Sequence, residues 1–387
     1  MVKLLEHRAG RSLEEILDLA QTVVEDTELS TVARWREAGG KVLGHFQVYF
    51  PEEIAHAAGW LPIKVRGARV ETRRADARFG SYLCSILKTS LELALDGRLA
   101  LDLFVSHPIC DAARNLAAVW GRNCGYPSHI LYLPQNASSP HAAGYLAGEY
   151  ARMARLIGEI SGRPVGEEDL RRSIEVFNTN RRLLRRLYAI RRDTPWKLAV
   201  HESYVLTALG GLVPREEHNA LIEEALPLIE AREAKAQDRI RVVFEGGFCE
   251  QPPLDLLRMI GDSCYVVDDD LLIGLRWIVG DVAAGGDPLA HLAAAYLEQS
   301  TYSPVQHDPR KPKERMLLER VRAARAEAVI VTAAKMCEPG LDEQVAYSRA
   351  LDEAGVPHFV SEFEERMTTF EHLQIQLETF VENVLFT

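Results

Sequence analysis

Short apolar runs alternate with amphipathic stretches along much of the chain. Strand-forming residues fill seven such runs, at residues 61–65, 101–105, 129–134, 240–244, 264–270, 328–331 and 358–363. Short continuous apolar runs are typical of strands buried on both faces of a parallel sheet. Helical periodicity fills most of the sequence between these runs. The pattern therefore predicts an α/β protein with two lobes, each holding a parallel-rich sheet flanked by helices.

Changes in periodicity along the chain predict three regions. Residues 1–147 form an N-terminal α/β lobe with leading helices, and residues 12–38 begin it as a helical stretch with a capping box at Ser12 and Glu15. Residues 148–237 are helical almost throughout and are predicted to be an insert or linker. Residues 238–387 form the C-terminal α/β lobe.

Composition narrows the class of protein. A formal net charge of −11 argues against nucleic acid as a general partner, because phosphate binding depends on clustered Lys and Arg. The basic pairs at 181–182, 185–186 and 191–192 are predicted to lie on solvated helix faces. No apolar run is long enough to span a membrane, and the first residues lack a signal-peptide pattern. We therefore expect a cytoplasmic protein without a membrane partner.

The six cysteines are not arranged as C-x-x-C pairs. Disulfides are not expected in a cytoplasmic chain, and neither a zinc ribbon nor a ferredoxin-type motif is present. The nucleotide-binding patterns G-x-G-x-x-G after a strand and G-x-x-x-x-G-K-[ST] are also absent. Any metal held by these cysteines therefore requires the fold to bring distant positions together.

Two cysteines occupy equivalent positions after predicted strands. Cys337 follows the strand 328–331 in EAVIVTAAKMCEPG, where Pro339 and Gly340 are predicted to form a turn, and Cys110 follows the strand 101–105. Functional residues of open α/β sheets collect at the carboxyl ends of the strands. A single intracellular cysteine is more often a small buried apolar residue, but two in the same position favour a functional interpretation.

The other four cysteines differ in their surroundings. Cys84 precedes a helix predicted to begin near Ser85, where unpaired N–H groups favour a thiolate, although a packing role is equally compatible. Cys124 follows a helix, where the dipole disfavours a thiolate, and Cys264 begins a strand and is predicted to be structural. Cys249 also follows a strand, so the sequence leaves it open as a ligand.

Several segments together resemble the 2-hydroxyacyl-CoA dehydratase and benzoyl-CoA reductase family. They are YLCS with Cys84, the ICD after S-H-P with Cys110, and KMCEPG with Cys337 followed by ALDEAGVPHFVSEFE. FPEEIAHAAGWLPIKVRG, VVDDDLLIGLRW and AEAVIV are also similar to family segments, so the resemblance covers essentially the whole chain. WGRNCGYPSHILYLPQN is most similar to the smaller of the two cluster-bearing subunits of the ATP-dependent reductases.

The resemblance implies an iron–sulfur site between the two lobes. Its ligands would be Cys84, Cys110 and Cys337, holding a [4Fe-4S] cluster whose fourth position is left to a non-cysteine ligand, substrate or water. A double-cubane [8Fe-9S] cluster, found in some relatives, is not excluded. Many relatives carry cysteine where this chain has Leu271 or Leu272, so that segment is not expected to supply a ligand.

For the reductase branch, the resemblance implies reduction of the aromatic ring of benzoyl-CoA to a cyclohexadiene carboxyl-CoA in anaerobic aromatic degradation. The implied partners are a homologous larger cluster-bearing subunit, a pair of ATPase electron-activator subunits, an acyl-CoA substrate and reduced ferredoxin as the indirect electron donor. His107 is the titratable residue nearest Cys110 in sequence and is our hypothesis for a proton donor or a supporting group. An ordinary turn histidine before Pro108 is the more frequent situation.

Three alternatives remain open from the sequence. The chain could be a subunit of a 2-hydroxyacyl-CoA dehydratase, or an electron-relay and docking subunit whose partner binds the substrate. It could also be a two-lobed binding protein without a cluster. The acidic run Asp268–Asp270 is predicted to be a solvated loop, although its carboxylates could serve a site.

Overall fold

The chain forms two four-stranded parallel sheets with helices packed on them, as described by a computed structural model. The structure describes residues 3–5, 10–46, 50–246, 252–271, 278–283, 285–300, 308–364 and 366–386. Every strand pairing within the two sheets is parallel. The predicted α/β fold with two parallel-rich sheets is therefore confirmed. The domain boundaries proposed from periodicity stay a prediction.

The N-terminal sheet has the strand order β2-β1-β3-β4. Its strands are β1 (Val42–Phe46), β2 (Leu61–Val65), β3 (Leu103–Ser106) and β4 (Ser128–Ile130). Its helices are α1 (Leu13–Glu25), α2 (Ser30–Glu37), α3 (Glu52–Ala57), α4 (Ser85–Leu95) and α5 (Asp111–Asn123). Every residue of β1, β2 and β3 is buried, as expected for strands covered on both faces.

A helical segment connects the two sheets. It consists of α6 (Ala142–Ser161), α7 (Glu167–Asp193), a short 3-10 helix (Pro195–Lys197), α8 (Val200–Leu209) and α9 (Arg215–Ala231). Helix α7 contacts both sheet regions through buried ion pairs. Arg181 pairs with Glu53 of α3, and ten residues further on Arg191 pairs with Asp269 beyond the segment. The long helix therefore ties the two halves of the molecule together.

The C-terminal sheet has the strand order β6-β5-β7-β8, which repeats the order of the first sheet. Its strands are β5 (Arg241–Glu245), β6 (Tyr265–Asp269), β7 (Ala328–Ala334) and β8 (His358–Phe363). The helices of this part of the chain are α10 (Leu254–Ser263), α11 (Pro288–Gln299), α12 (Lys313–Ala324), α13 (Glu338–Glu353) and α14 (Glu371–Phe386), of which α11 packs on α6. Within the described residues, no helix combines the length and the apolar character needed to cross a membrane.

Some local predictions were wrong. The stretch 12–38 contains two helices rather than one, because Leu29 adopts a left-handed conformation between them. Strand β1 was missed, since Gly44 and His45 interrupt its apolar run. Pro339 and Gly340 do not form a turn but lie in the first turn of α13, which starts directly after Cys337. Proline is favoured there because the first turn has N–H groups without helix partners.

The predicted solvation of several charged residues was also wrong. Arg181 and Arg191 are buried, although their neighbours in the basic pairs are more exposed. The acidic run at the end of β6 is not a solvated loop either, because Asp269 and Asp270 are buried. Tertiary contacts account for both results, since a buried charge needs an opposite charge or hydrogen bonds. Ion pairs hold Arg181, Arg191 and Asp269, and Asp270 accepts from the backbone N–H of Gly246 at 3.0 Å.

Candidate functional site: a cavity lined by three cysteines

Cys84, Cys110 and Cys337 each lie directly before the first residue of a helix. Cys84 precedes α4, Cys110 precedes α5, and Cys337 precedes α13. The first N–H groups of a helix have no partner within it, and the helix dipole is positive at that end. All three thiols are therefore placed where a negative charge is stabilised.

The fold brings these three cysteines to one cavity of about 340 Å³. Cys84 and Cys110 come from the N-terminal lobe, and Cys337 from the C-terminal lobe. Much of the remaining wall is apolar and includes Phe46 at the end of β1 and Ile86 and Leu87 in the first turn of α4. Cysteines from both lobes thus line one cavity whose wall is mainly apolar.

Equivalent strands position two of the three thiols. Strand β3 and strand β7 each take the third place in the strand order of their sheet, and Cys110 and Cys337 begin the helices that follow them. Parallel strands carry their carboxyl ends to one edge of a sheet, so each of these loops lies at the edge where α/β proteins bind ligands. Cys84 reaches the cavity differently, at the start of the helix that follows the long connection after β2.

The Cys110 thiol is partly buried and accepts a hydrogen bond from the backbone N–H of Ala113, with Sγ and N separated by 3.3 Å. Burial raises the pKa of Cys110, while the N–H groups of Ala113 and Ala112 act in the opposite direction. The carboxylate of Glu338, on the facing helix, raises the pKa further. The free thiol is therefore protonated near neutrality, and binding of a metal would release its proton.

The backbone beside Cys337 leaves space around its sulfur. Met336 has a φ of 60°, in the left-handed region that non-glycine residues rarely adopt. A β-carbon at Gly340 would lie 3.4 Å from the Cys337 Sγ and 3.3 Å from the Cβ of Ala333. Glycine at this position therefore avoids crowding next to the thiol.

The rim of the cavity combines exposed apolar side chains with carboxylates. Tyr82 is 73% exposed and Met336 is 57% exposed, and both belong to the cavity wall. Asp111 and Glu338, the first residues of α5 and α13, line it as well. Carboxylates at helix N-termini are favourable, so their placement also follows from local helix chemistry.

Three thiols on separate elements are compatible with an iron–sulfur cluster. Among the residues that the structure describes, no group of three His, Cys, Asp or Glu side chains is arranged to hold a single metal ion. A cubane cluster needs a different arrangement, because its thiolates bind separate iron atoms. The donor chemistry, the helix N-termini and the largely apolar wall fit such a group, and three thiols would leave one iron for another ligand.

The remaining cysteines lie elsewhere or outside the described residues. Cys124 ends α5 and is half-buried, which raises the pKa of its thiol. Cys264 follows α10 in the core, donates to the carbonyl of Ile260 at 3.2 Å, and has its pKa raised by burial to about 12. Neither belongs to the cavity wall. Cys249 and Leu272 lie outside the described residues, while Leu271 is buried in the core.

His107 follows β3 directly in the sequence, three residues before Cys110, and its side chain is fully buried. His107 is not one of the described residues that line the three-cysteine cavity. Burial, together with the nearby His45, lowers the pKa of His107 to about 3, so its imidazole is neutral at physiological pH. A supporting position behind the Cys110 loop suits this side chain better than donation from an imidazolium, and its role stays a prediction.

A buried ionic cluster behind the cavity was missed in the sequence. His45 on β1 contacts Glu52, with Nε2 and Oε1 separated by 2.9 Å, and Glu52 pairs with Arg215. Next to it, Glu53 pairs with Arg181. The sequence showed the paired carboxylates in F-P-E-E-I only as acidic residues at a helix start, because their arginine partners are more than a hundred residues away.

Together, these observations define a two-lobed α/β protein with a thiol-lined cavity between its lobes. The family model described as "2-hydroxyglutaryl-CoA dehydratase, D-component" matches residues 47–384. The chain therefore belongs to this family of 2-hydroxyacyl-CoA dehydratase and benzoyl-CoA reductase subunits, as the sequence motifs predicted.

Three relatives illustrate the range of the family. The chain is 33% identical over 383 residues to the C subunit of benzoyl-CoA reductase of Thauera aromatica, covering 96% of this chain and 99% of the relative. It is 27% identical to the beta subunit of lactoyl-CoA dehydratase of Anaerotignum propionicum, again covering 96% and 99%. It is 23% identical to the beta subunit of (R)-2-hydroxyglutaryl-CoA dehydratase of Acidaminococcus fermentans, covering 91% and 95%. All three are named as subunits of enzymes.

Proposed function

We propose that this chain is an iron–sulfur subunit of an ATP-dependent benzoyl-CoA reductase. The observation that carries the proposal is the cavity lined by Cys84, Cys110 and Cys337, each at a helix N-terminus. The choice of a reductase is supported by 33% identity to a benzoyl-CoA reductase subunit, against 27% and 23% to the two dehydratase subunits.

In this proposal the three thiolates hold a [4Fe-4S] cluster, with a double-cubane cluster as the variant to be tested. When bound, the cluster would supply single electrons at low potential. The three helix N-termini offset the negative charge of the thiolates. The apolar side chains of Phe46, Ile86 and Leu87 exclude water from the cavity, which protects reactive intermediates from side reactions.

The overall reaction takes up two electrons and two protons per aromatic ring and yields a cyclohexadiene carboxyl-CoA. The electrons would come one at a time from an ATPase subunit pair that is reduced by ferredoxin. A homologous larger subunit would complete the enzyme. Family relatives are named as subunits, which supports a partner chain without identifying it.

A 2-hydroxyacyl-CoA dehydratase subunit is the second candidate. The relatives at 27% and 23% identity and the description of the family model favour it. A dehydratase recycles its electron and needs ATP only to start, whereas a reductase consumes ATP in every turnover. ATP hydrolysed per product formed, measured with benzoyl-CoA and with a 2-hydroxyacyl-CoA, therefore separates the two. A structure with bound acyl-CoA tests the electron-relay alternative. That alternative predicts a thioester far from Cys84, Cys110 and Cys337.

The ligand assignment is tested on anaerobically purified protein by iron and sulfide content and by EPR. We expect Cys337→Ala to lose the cluster, because it removes the thiol of the C-terminal lobe from the cavity. Cys124→Ala is the matched control, since this half-buried cysteine does not line the cavity. It should retain the full iron content.

Two results would contradict the assignment. One is an unchanged cluster in Cys337→Ala. The other is loss of the cluster in Cys249→Ala while Cys337→Ala keeps it. A wild-type preparation without iron or sulfide would instead favour a binding protein that holds no cluster.

A further inference from the structure

A second cavity lies at the carboxyl edge of the N-terminal sheet, beside the edge strand β2. Its volume is about 300 Å³, within the range of pockets that hold small ligands. Residues 63–69, which end β2 and follow it, form one wall. The opposite walls come from the ends of α1 and α4, from Tyr204 and from the start of α10. The cavity therefore opens where α/β sheets commonly bind ligands.

Helix α4 connects this second cavity to the three-cysteine cavity. Ile86 and Leu87 at its start line the cysteine cavity, and Leu93 near its end lines the second one. At a rise of 1.5 Å per residue, Cys84 and Leu93 are separated by about 14 Å along the helix axis. The strands β1 and β2, whose ends contribute Phe46 and Val65 to the two cavities, are direct neighbours. One long ligand could therefore extend from one cavity to the other.

The second cavity has a cationic wall. Lys64, Arg66 and Arg69 all line it, and Lys64 is buried. The half-buried Arg66 donates one N–H to the carbonyl of Val24. Within the described part of the chain, Arg66 makes no ion pair. A guanidinium without a carboxylate partner retains donors for an anion, and Arg is well suited to hold phosphate through two hydrogen bonds.

Two carboxylates also line the cavity, but their hydrogen bonds are local. Glu25 accepts from the Gln21 side chain at 2.7 Å. Asp26 accepts from the backbone N–H groups of Glu28 at 2.9 Å and Ser30 at 2.7 Å, which orders the turn before α2. Neither carboxylate pairs with Arg66, so its positive charge is not neutralised by an ion pair.

We propose that this cavity holds the phosphate-bearing nucleotide end of a CoA thioester. The inference rests on the proposed function in one respect, namely that the substrate is a CoA thioester. Arg66 contacts the phosphates, and the apolar side chains around it cover the adenine ring. The pantetheine arm then follows α4 and places the acyl group at the three-cysteine cavity.

The closing experiment measures the affinity for CoA by isothermal titration calorimetry on the anaerobically purified full chain, in the assembly in which it is isolated. We expect Arg66→Gln to raise the Kd by about tenfold or more, because it removes hydrogen bonds to a charged group. Arg349→Gln is the control, since this exposed arginine on α13 pairs with the neighbouring Glu353 of the same helix. It should change the Kd by less than about twofold, because an exposed ion pair contributes little.

Additional ligands and a second variant define the outcome. Dephospho-CoA and ATP are titrated in parallel, and weaker binding of both supports a site that reads the complete nucleotide of CoA. Arg69→Gln changes a rim arginine that pairs with Asp255 at 3.7 Å, and it should raise the Kd less than Arg66→Gln. An unchanged CoA affinity in the folded variants, no CoA binding by the wild type, or equal affinity for ATP would overturn the inference. Iron content is measured separately, so a failure of the proposed CoA site can be distinguished from a failure of the proposed cluster.

Discussion

The two sheets share one strand order but carry opposite charges at equivalent places. Strand β2, outermost in the first sheet, ends in a segment with Lys64 and Arg66. Strand β6, outermost in the second sheet, ends in Asp268 and Asp269. The third strand of each sheet is followed by a cysteine at a helix start. The two sheets thus share a cysteine after the third strand, but the ends of their outer strands β2 and β6 carry opposite charges.

Arginines compensate the acidic edge of the second sheet. Arg320 pairs with Asp268 at 2.7 Å and with Glu245, and Arg191 pairs with Asp269. The basic edge of the first sheet has no such compensation at Arg66 among the described residues. The comparison indicates that the acidic edge is part of the scaffold, whereas the basic edge retains charge for a ligand.

Two buried carboxylates, one near each sheet, have pKa values shifted in opposite directions. Burial alone would raise the pKa of Glu52, but Arg215 and His45 outweigh burial and hold this pKa below its usual value. Burial and the neighbouring Asp270 carboxylate raise the pKa of Glu245 to about 8, although Arg320 acts in the opposite direction. The balance of cations and carboxylates around each group, and not burial alone, therefore decides its charge.

The largest expected effect concerns the ion pairs by which α7 joins the two sheets. Replacing Arg191 or Arg181 by Met removes the buried arginine that pairs with Asp269 or with Glu53. Loss of one partner of a buried pair costs about 3–5 kcal/mol in the free energy of unfolding. Urea unfolding followed by circular dichroism measures this cost.

Arg186→Met provides the matched control on the same helix, because its pair with Glu230 is exposed. Its expected cost is below about 1 kcal/mol. If Arg191→Met and Arg181→Met were as mild as this control, the helix would not anchor the sheets through these pairs. A large cost for only one of them would show that the two sheets are anchored unequally.

A smaller effect is expected at two glycines. Gly246 has a φ of 112°, and a β-carbon there would lie 1.6 Å from the carbonyl oxygen of Thr332. Backbone strain alone makes Gly246→Ala cost roughly 1–3 kcal/mol, and the carbonyl contact adds to that cost. At Gly44 in β1, a β-carbon would meet the side-chain ends of Leu101 and Val65 at 2.5 and 2.9 Å.

Because those side chains can shift, Gly44→Ala should cost about 1 kcal/mol, the lower end of the range for overpacking. Thermal and urea unfolding of both variants test the order. Equal losses of unfolding free energy in Gly246→Ala and Gly44→Ala would contradict this order. They would mean that the backbone after β5 moves away from β7 as easily as side chains repack around β1.

The last expected effect is the pH dependence set by Glu245. Its pKa rises from 4.5 in the unfolded chain to about 8 in the fold. The folded state therefore binds a proton that the unfolded state has lost between these values, so this contribution to stability decreases as pH rises through that window. Glu245→Gln keeps a neutral side chain at every pH and should flatten the decrease.

The measurement is the free energy of unfolding across that pH window for the wild type and Glu245→Gln. Identical slopes would remove Glu245 as the source. Glu52 contributes with the opposite sign, because its lowered pKa gives stability that is lost as pH falls. The two sheets therefore predict opposite pH responses from carboxylates buried to a similar degree.

Local patterns predicted much of the fold. The apolar runs 61–65 and 358–363 coincide with β2 and β8, and the helix after Cys84 begins at Ser85 as expected. Strand β1 escaped because its glycine serves a close approach to Leu101, which is a tertiary requirement. The burial of Arg181 and Asp269 was not predicted for the same reason. The sequence around a charged residue gives no indication of a distant ion-pair partner.

The sequence by itself determined that three cysteines stand at or near helix starts, because helix initiation depends on the few residues around it. It also determined the alternating β/α order and, through its motifs, the family. Only the tertiary structure decided that the three helix starts meet at one cavity and that the carboxyl edge of β2 carries a guanidinium without an ion pair. These features depend on how two separately formed sheets pack, which no local pattern contains.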